Sequence, residues 1–536
     1  MTIATSVSQK KVLVIDDVPE IRNQLQMSLT SLGFEKLHVV SDIKEAMEKM
    51  EHVRYDVILC DYNLGEGTNG QQFLEYLRTR DLLPRNAVFI IITAQNSYES
   101  VASAAECVPD DYLLKPFTAG QFLTRFEKLM QRQAFLATID KAHDSKNWHM
   151  VITECDKILA QKDKHYIEIC KIKAAALMRI DRPQEAMQVY SAVLQLRELP
   201  WAQLGIARAQ AKLGNLEAAK EISAKLIESN PKFIATYDFM SELMLQSNDS
   251  VAALEVLKSA NAIIPSNINR TRHLTALAMT NGQHDMAENL MTTVLKKHKH
   301  SPVREASDFA LLSRSLSEQG KTNEALSVLK EAGTSFKDST SMLVLSASAS
   351  IAHRRAGNLE AAEISLSEAL AGDTMMLPPQ VAASLAEACY DAGKEQEADG
   401  LLKQILQNNP DDMRLQGKVK MVCAMAGKDM TASNIMIEES AKEIIRINND
   451  GVRKAQAGEY EEAIKLITAA AQRLPNNMNI VSNAALILAA SIANRHGDEN
   501  TMKQCLLFRQ KVVAKNAAHP KLAQIDMMLK KAQVAA

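Results

Sequence analysis

The sequence predicts a multidomain chain: a parallel α/β sheet domain with helices on both faces, followed by an all-α array of repeated helix pairs. Three observations carry this prediction. The chain has 536 residues, more than one hydrophobic core can organise. Over residues 10–130, short apolar runs alternate with helical segments, the pattern of strands joined by crossover helices. From about residue 140 the strand signals stop, and a turn residue recurs with a period near 34.

The first domain reads element by element. Val12–Ile15 is an apolar strand that ends in Asp16 and Asp17. Pro19 opens a helix, where its missing N–H costs nothing, and Gly33 ends it. His38–Val40 is a second strand, and Asp42 caps a helix over Ile43–Met50. Val57–Cys60 is the third strand, ending in Asp61, and Asn69 caps a helix over Gln71–Arg80. Ala87–Ile92 leads to Thr93 and Ala94, Tyr98–Cys107 is a helix, and Asp111–Leu114 leads to Lys115 and Pro116. A last helix starts near Thr118 and runs to about His143, with no glycine or proline between Gln121 and Ser145. Residues 1–9 read as a disordered lead, 10–130 as the sheet domain and 131–145 as a helical connector.

Right-handed crossovers put the carboxyl ends of parallel strands on one side, where ligands sit. Asp16, Asp17, Asp61, Thr93 and Lys115 converge there. Alone, Asp61 would read as the cap of a loop; with the other four it reads as the acceptor of a phosphoryl group. Three crowded carboxylates repel one another unless a cation neutralises them, and a hard ion such as Mg²⁺ takes oxygen ligands. Asp17 and Asp61 are the expected ligands, Asp16 directly or through water, with the backbone carbonyl of Asn63 as a further oxygen. Phosphoryl transfer requires mainly positioning and charge neutralisation. Lys115 supplies a positive charge, the Thr93 hydroxyl a hydrogen bond to the phosphoryl oxygens, and the small Ala94 leaves room.

The elements VLVIDD (Val12–Asp17), ILCDYNL (Ile58–Leu64), IIITA (Ile90–Ala94) and YLLKPF (Tyr112–Phe117) together resemble the receiver domain of two-component response regulators. Their separations fit as well: 44 residues from Asp17 to Asp61, 32 to Thr93 and 22 to Lys115. The resemblance implies a flavodoxin-like five-stranded sheet of order 2-1-3-4-5. It implies Asp61 as the phosphorylated residue, Asp16 and Asp17 as the acidic metal pair, and Lys115 as the active-site lysine. Thr93 becomes the switch hydroxyl, Tyr112 the switch aromatic, and Lys115–Pro116 a cis peptide. The loop LGEGTNG departs from the pattern, with Gly65 where proline is usual, but no chemical group is lost.

In the second region a turn residue is followed five positions later by alanine: Gly214/Ala219, Gly282/Ala287, Gly320/Ala325, Gly357/Ala362, Gly393/Ala398, Gly427/Ala432 and Gly458/Ala463. Weaker copies are Lys146/Val151, Asp181/Ala186, Asn248/Ala253 and Gly497/Met502. Successive turn residues lie 35, 33, 34, 34, 38, 37, 36, 34, 31 and 39 apart. Pro231, Pro265, Pro410 and Pro475 each fall 17 after a turn residue and end the second helix of a pair. The copies LGNLEAA, AGNLEAA and AGEYEEA resemble the tetratricopeptide repeat (TPR). That resemblance implies about ten helix pairs plus a C-terminal cap over residues 146–536, stacked into a superhelix whose concave face binds proteins.

Bulk composition excludes several function classes. A net charge of −2 gives no field for nucleic acid or an anionic membrane. Seven cysteines without a C-x-x-C pair read as buried apolar residues in a reducing compartment. No apolar leader and no run of eighteen apolar residues is present, so the expected location is cytoplasmic. The basic stretch Lys296–Arg304 reads as a solvated helix end without interleaved aromatics, and His298 and His300 have no acid or cysteine cluster beside them. The expected function is therefore a response regulator that signals through protein binding. A sensor histidine kinase or phosphotransfer protein donates the phosphoryl group, an unidentified protein binds the TPR array, and a homodimer is allowed. The receiver works only on itself and not as an enzyme on an external substrate. The rival readings are a phosphate sink or sequestering regulator, and a scaffold whose receiver serves dimerisation.

Overall fold

The computed structural model describes residues 7–534 apart from 66–68, 81, 95–107, 162–164, 266, 300–302, 372–376, 411, 495–497 and 517–518. Five strands, β1 (Lys11–Ile15), β2 (Lys36–Val40), β3 (Val57–Asp61), β4 (Val88–Thr93) and β5 (Asp111–Leu114), form one sheet of order β2-β1-β3-β4-β5. Every pairing is parallel. The described helices of this domain are α1 (Pro19–Ser31), α2 (Ile43–His52), α3 (Gly70–Thr79) and α4 (Ala119–Asp144). The helix expected over Tyr98–Cys107 lies outside the described residues.

Side chains alternate between the two faces of the strands, so the sheet organises two cores. Val12, Val14, Val57, Leu59, Ile90 and Ile92 pack with Leu25, Leu29, Phe34, Phe122 and Phe126 on one face. Leu13, Ile15, Ile58, Cys60, Phe89 and Ile91 pack with Ala46, Phe73, Leu74 and Leu77 on the other. Helix starts follow the caps: Asp42 accepts from the Glu45 N–H, and Asn69 forms a capping box with Gln72. Of the stretch 1–9 expected to be disordered, residues 1–6 lie outside the described residues, but Val7 is 2% exposed inside the first core. The Lys10 N–H bonds back to its carbonyl, so the apolar side chain turns under the sheet.

Helix α4 is continuous from Thr118, its N-cap, to Asp144. Phe122, Phe126 and Leu129 belong to the sheet-domain core, while Leu136, Ile139 and Ala142 belong to the core of the first repeats. One helix therefore serves two cores. Arg85 braces it through Asp140 at 3.0 Å, and Arg132 spans Asp110 and Glu168.

Among the described residues, 21 further helices follow α4. All ten described turn residues have positive φ, including Lys146 (54°), Asp181 (61°) and Asn248 (63°). At Gly214 the reason is visible: its N–H and that of Asn215 turn back to Ala211 and Gln210, closing the helix end as only a left-handed residue can. Ala186, Ala219, Ala253, Ala287, Ala325, Ala362, Ala398 and Ala463 are all 0% exposed, the small residues that let paired helices approach. Ala432 departs from this. Asp429 delays the helix start by one residue, so Ser433 takes the buried place. Gly497 lies outside the described residues.

The repeat pattern also breaks once. Met430–Gln456 is one 27-residue helix, joining the second helix of one pair to the first of the next. It coincides with the shortest turn spacing, 31 residues, which leaves no room for a loop. The repeats on either side form separate cores. Earlier in the array, the helix Met413–Met425 reaches back to Ile268–Thr280, and Met425 packs beside Leu254 and Leu277. In the basic stretch after residue 295, Lys296, Lys297 and Lys299 are solvated at the helix end as expected, but His298 is 0% exposed, its side chain at the C-cap turned towards Ile268 and Val303. Among the described residues, no helix is long and apolar enough to cross a membrane.

Candidate functional site

Strand register builds the site. Ile15 lies opposite Cys60, Asp61 opposite Ile92, and Thr93 opposite Leu114. The next residue on β1 is Asp16 and the next on β5 is Lys115, so all five strand-end residues reach the same edge. Asp16, Asp17 and Asp61 place one carboxylate oxygen each within 4.8 Å of one another. Asp16 is fully buried, Asp61 is 8% exposed and Asp17 faces solvent. The Lys115 ammonium bridges two of the three, 2.7 Å from Asp16 Oδ2 and 3.1 Å from Asp61 Oδ2.

Further bonds fix these groups. The Val18 N–H donates to Asp16 Oδ1 at 3.0 Å, and Arg22 donates to the Asp16 carbonyl at 2.6 Å. The Lys115 N–H donates to the Thr93 carbonyl at 2.8 Å, and the Lys115–Pro116 bond is cis. Thr93 is buried at the end of β4. Asn63 is exposed on the loop after Asp61. Gly65 adopts φ of +72°, and a Cβ there would lie 3.6 Å from Asp17 Oδ2. That distance is an ordinary contact, so it is the left-handed φ that favours glycine at position 65.

Burial pushes the Asp61 carboxyl above its ordinary range, opposed by the charge and hydrogen bond of Lys115. Burial, reinforced by Asp61 and Asp16, pushes the Cys60 thiol well up, so Cys60 is an inert packing residue. The donor set suits a divalent cation. It offers hard carboxylate oxygens, one of them solvent-exposed and able to share a hydrated ion.

Tyr112 does not stand alone. Its hydroxyl donates to Gln71 Oε1 at 3.2 Å, and its ring packs on the face that holds Phe73. Gln71 was not singled out from the sequence, because a polar residue in the first turn of a helix looks like ordinary capping. Gly70 was also missed. A Cβ there would lie 2.4 Å from the Asp61 carbonyl oxygen, and the only sequence signal is a glycine at a helix start.

The family model of the response regulator receiver domain matches residues 12–127, and that of the tetratricopeptide repeat matches residues 201–232. A probable chemotaxis protein CheY of Rhizobium etli is 34% identical over 123 residues, 23% of this chain and 94% of that protein. A transcriptional regulatory protein PrrA of Mycobacterium leprae is 30% identical over 134 residues, 25% of this chain. The chain spans only 55% of PrrA, whose remainder has no counterpart in the match. A tetratricopeptide repeat protein of Parabacteroides merdae covers 48% of this chain and 99% of its own at 12% identity, with a TM-score of 0.36.

Proposed function

Because the chain belongs, through its first domain, to the response regulator receiver family and carries tetratricopeptide repeats behind it, we propose that it is a phosphorylation-controlled protein-binding regulator. Asp61 accepts the phosphoryl group from a histidine kinase or phosphotransfer protein, and the repeats bind a protein ligand in a manner that depends on that state. The observation that carries this reading is the Asp61 carboxylate at the end of β3, in contact with Lys115 and beside Asp16 and Asp17.

In this reading Asp16, Asp17, Asp61 and the Asn63 carbonyl would hold Mg²⁺, which would supply positive charge beside a phosphoryl group in transfer. Lys115 holds the acceptor carboxylate in place and faces the incoming oxygens. Thr93 offers its hydroxyl to the phosphoryl group, and the buried floor of the site keeps bulk water from the acyl phosphate. Tyr112 and Gln71 report the change to α3.

The test is labelling of the whole chain by a small acyl phosphate donor with Mg²⁺, read by intact mass. Wild type gains one phosphoryl group. Asp61→Asn keeps its size and fold and gains none, and Asp17→Ala requires more Mg²⁺ because a hard ligand is lost. Equal labelling of Asp61→Asn would remove Asp61 as the acceptor.

A further inference from the structure

Helix α3 has two attachments. Its first turn sits on the acceptor: the Gly70 N–H donates to the Tyr62 carbonyl at 2.9 Å, and no side chain fits between Gly70 and the Asp61 carbonyl. Gln71, in the same turn, holds the Tyr112 hydroxyl. Its last turns lie on the repeats, nearly two hundred residues further along the chain. Tyr76 packs against both the receiver core and the repeat core that contains Ile268, Val303 and Phe309. Arg80 pairs with Glu305.

The repeat side of this contact is a connected charge system. Glu305 lies 3.7 Å from Arg272, and Arg272 grips the buried Asp308 with two bonds of 2.6 and 2.9 Å. Arg272 also donates to the Val303 carbonyl at 2.7 Å. On the helix Met413–Met425, burial pulls the half-buried Lys418 ammonium below its ordinary value, opposed by the charges of Glu387 and Glu305. Glu75 of α3 feels Arg270, which is held by Asp238. A cavity of about 40 Å³ remains between Tyr76, Arg80, Ile268 and His298. The starts of the helices Ile268–Thr280 and Ala306–Glu318 thus meet at α3.

We propose that α3 is an intramolecular ligand of the repeat array, and that phosphorylation of Asp61 releases it from the face around Ile268, Arg272 and Glu305. The inference rests on Asp61 as the acceptor. The docked arrangement goes with Lys115 bridging Asp16 and Asp61. A phosphoryl group adds bulk and negative charge at that carboxylate, competes for Lys115, and displaces Tyr62 and the Gly70 bonded to its carbonyl. There is no slack where Gly70 meets the Asp61 backbone. The contact it would break is thin, one half-buried aromatic and one largely exposed ion pair, so a small shift of α3 suffices.

Amide hydrogen exchange of the full chain, with and without a small acyl phosphate donor and Mg²⁺, tests this. On labelling, exchange should rise roughly tenfold in residues 72–80, 268–272 and 303–308, while the central strand 57–60 stays protected. Arg80→Glu sets two carboxylates against each other and should produce the same rise at 268–272 and 303–308 without any donor. If the chain is labelled but exchange at these segments is unchanged or slowed, the release is wrong and Asp61 remains the acceptor. Unchanged exchange in Arg80→Glu would equally overturn the docking. If no label is taken up at all, the acceptor assignment and the release fall together.

Discussion

Gly70 and Asp61 are in backbone contact: a methyl group on Gly70 would lie 2.4 Å from the Asp61 carbonyl oxygen and 3.1 Å from Cys60 Sγ. The obstacle is main chain, which cannot rotate away as a side-chain tip can. Gly70→Ala would therefore push α3 from β3, although alanine favours helix by up to ~1 kcal/mol. The clash dominates, and a net loss of about 1–3 kcal/mol in urea unfolding is expected, as for other overpacked sites. Labelling at Asp61 should slow at the same time, because the acceptor and the loop after it move together. A variant as stable and as quickly labelled as wild type would show that this contact does not position the acceptor.

Much of the sheet domain was legible because its signals are local. Val12–Ile15, Val57–Cys60 and Ala87–Ile92 are apolar runs that stop at polar residues, and the structure ends its strands within a residue of those places. The convergence of Asp16, Asp61 and Lys115 followed from parallel topology, which fixes strand ends without knowledge of any side-chain contact. The turn residues of the repeats were legible for the same local reason. What the sequence could not show is contact between distant faces. Periodicity marks Tyr76 as one of the apolar residues of α3, but not that it meets Ile268. Nothing near Arg80 points to Glu305, 225 residues away. His298 looked solvated among its exposed lysines because charge was visible and the partner surface was not. The fused helix Met430–Gln456 left one trace, a repeat shortened to 31 residues, which was readable as a number but not as a shape.

The last repeats carry an ion pair with a defined pH signature. Arg509 donates to both oxygens of Asp526 at 2.6 and 3.0 Å, joining the helices Glu499–Lys515 and Pro520–Val534. The hydrogen bonds from Arg509 hold the Asp526 carboxyl below its ordinary value of 3.8. A carboxyl depressed in the folded state stabilises it above the unfolded pKa, and that contribution disappears as pH falls through the folded pKa. The side chains are 34% and 40% exposed, so solvent screening limits the effect to about 0.5–1 kcal/mol. Asp526→Asn should therefore be less stable than wild type by that amount at pH 6, and the difference should shrink as pH falls below 3.8 and through the lower folded-state pKa. Exchange of residues 499–515 at both ends of that range measures it; a difference that persists undiminished at the lower pH would assign the loss to packing and not to charge.

Helix α4 is the covalent route between the domains, separate from the docking of α3. Phe126 and Leu136 sit on the same unbroken helix, one in each core, and Arg132 between them holds Asp110 on one side and Glu168 on the other. A continuous helix transmits rotation, whereas a glycine-rich joint does not. Inserting four glycines after Arg132 costs the helix ~1 kcal/mol per residue relative to alanine and removes the fixed register between the two cores. The receiver core, from Val7 to Leu129, is complete before the insertion, so labelling of Asp61 should persist. In wild type, labelling should alter exchange in 148–159 and 166–179, the helices packed against the end of α4, by shifting a two-state equilibrium at the joint. In the insertion variant that response should be lost. If labelling changes exchange in those helices equally with and without the insertion, the signal does not pass through α4, and the contact of α3 with the repeats is left as the connection between them.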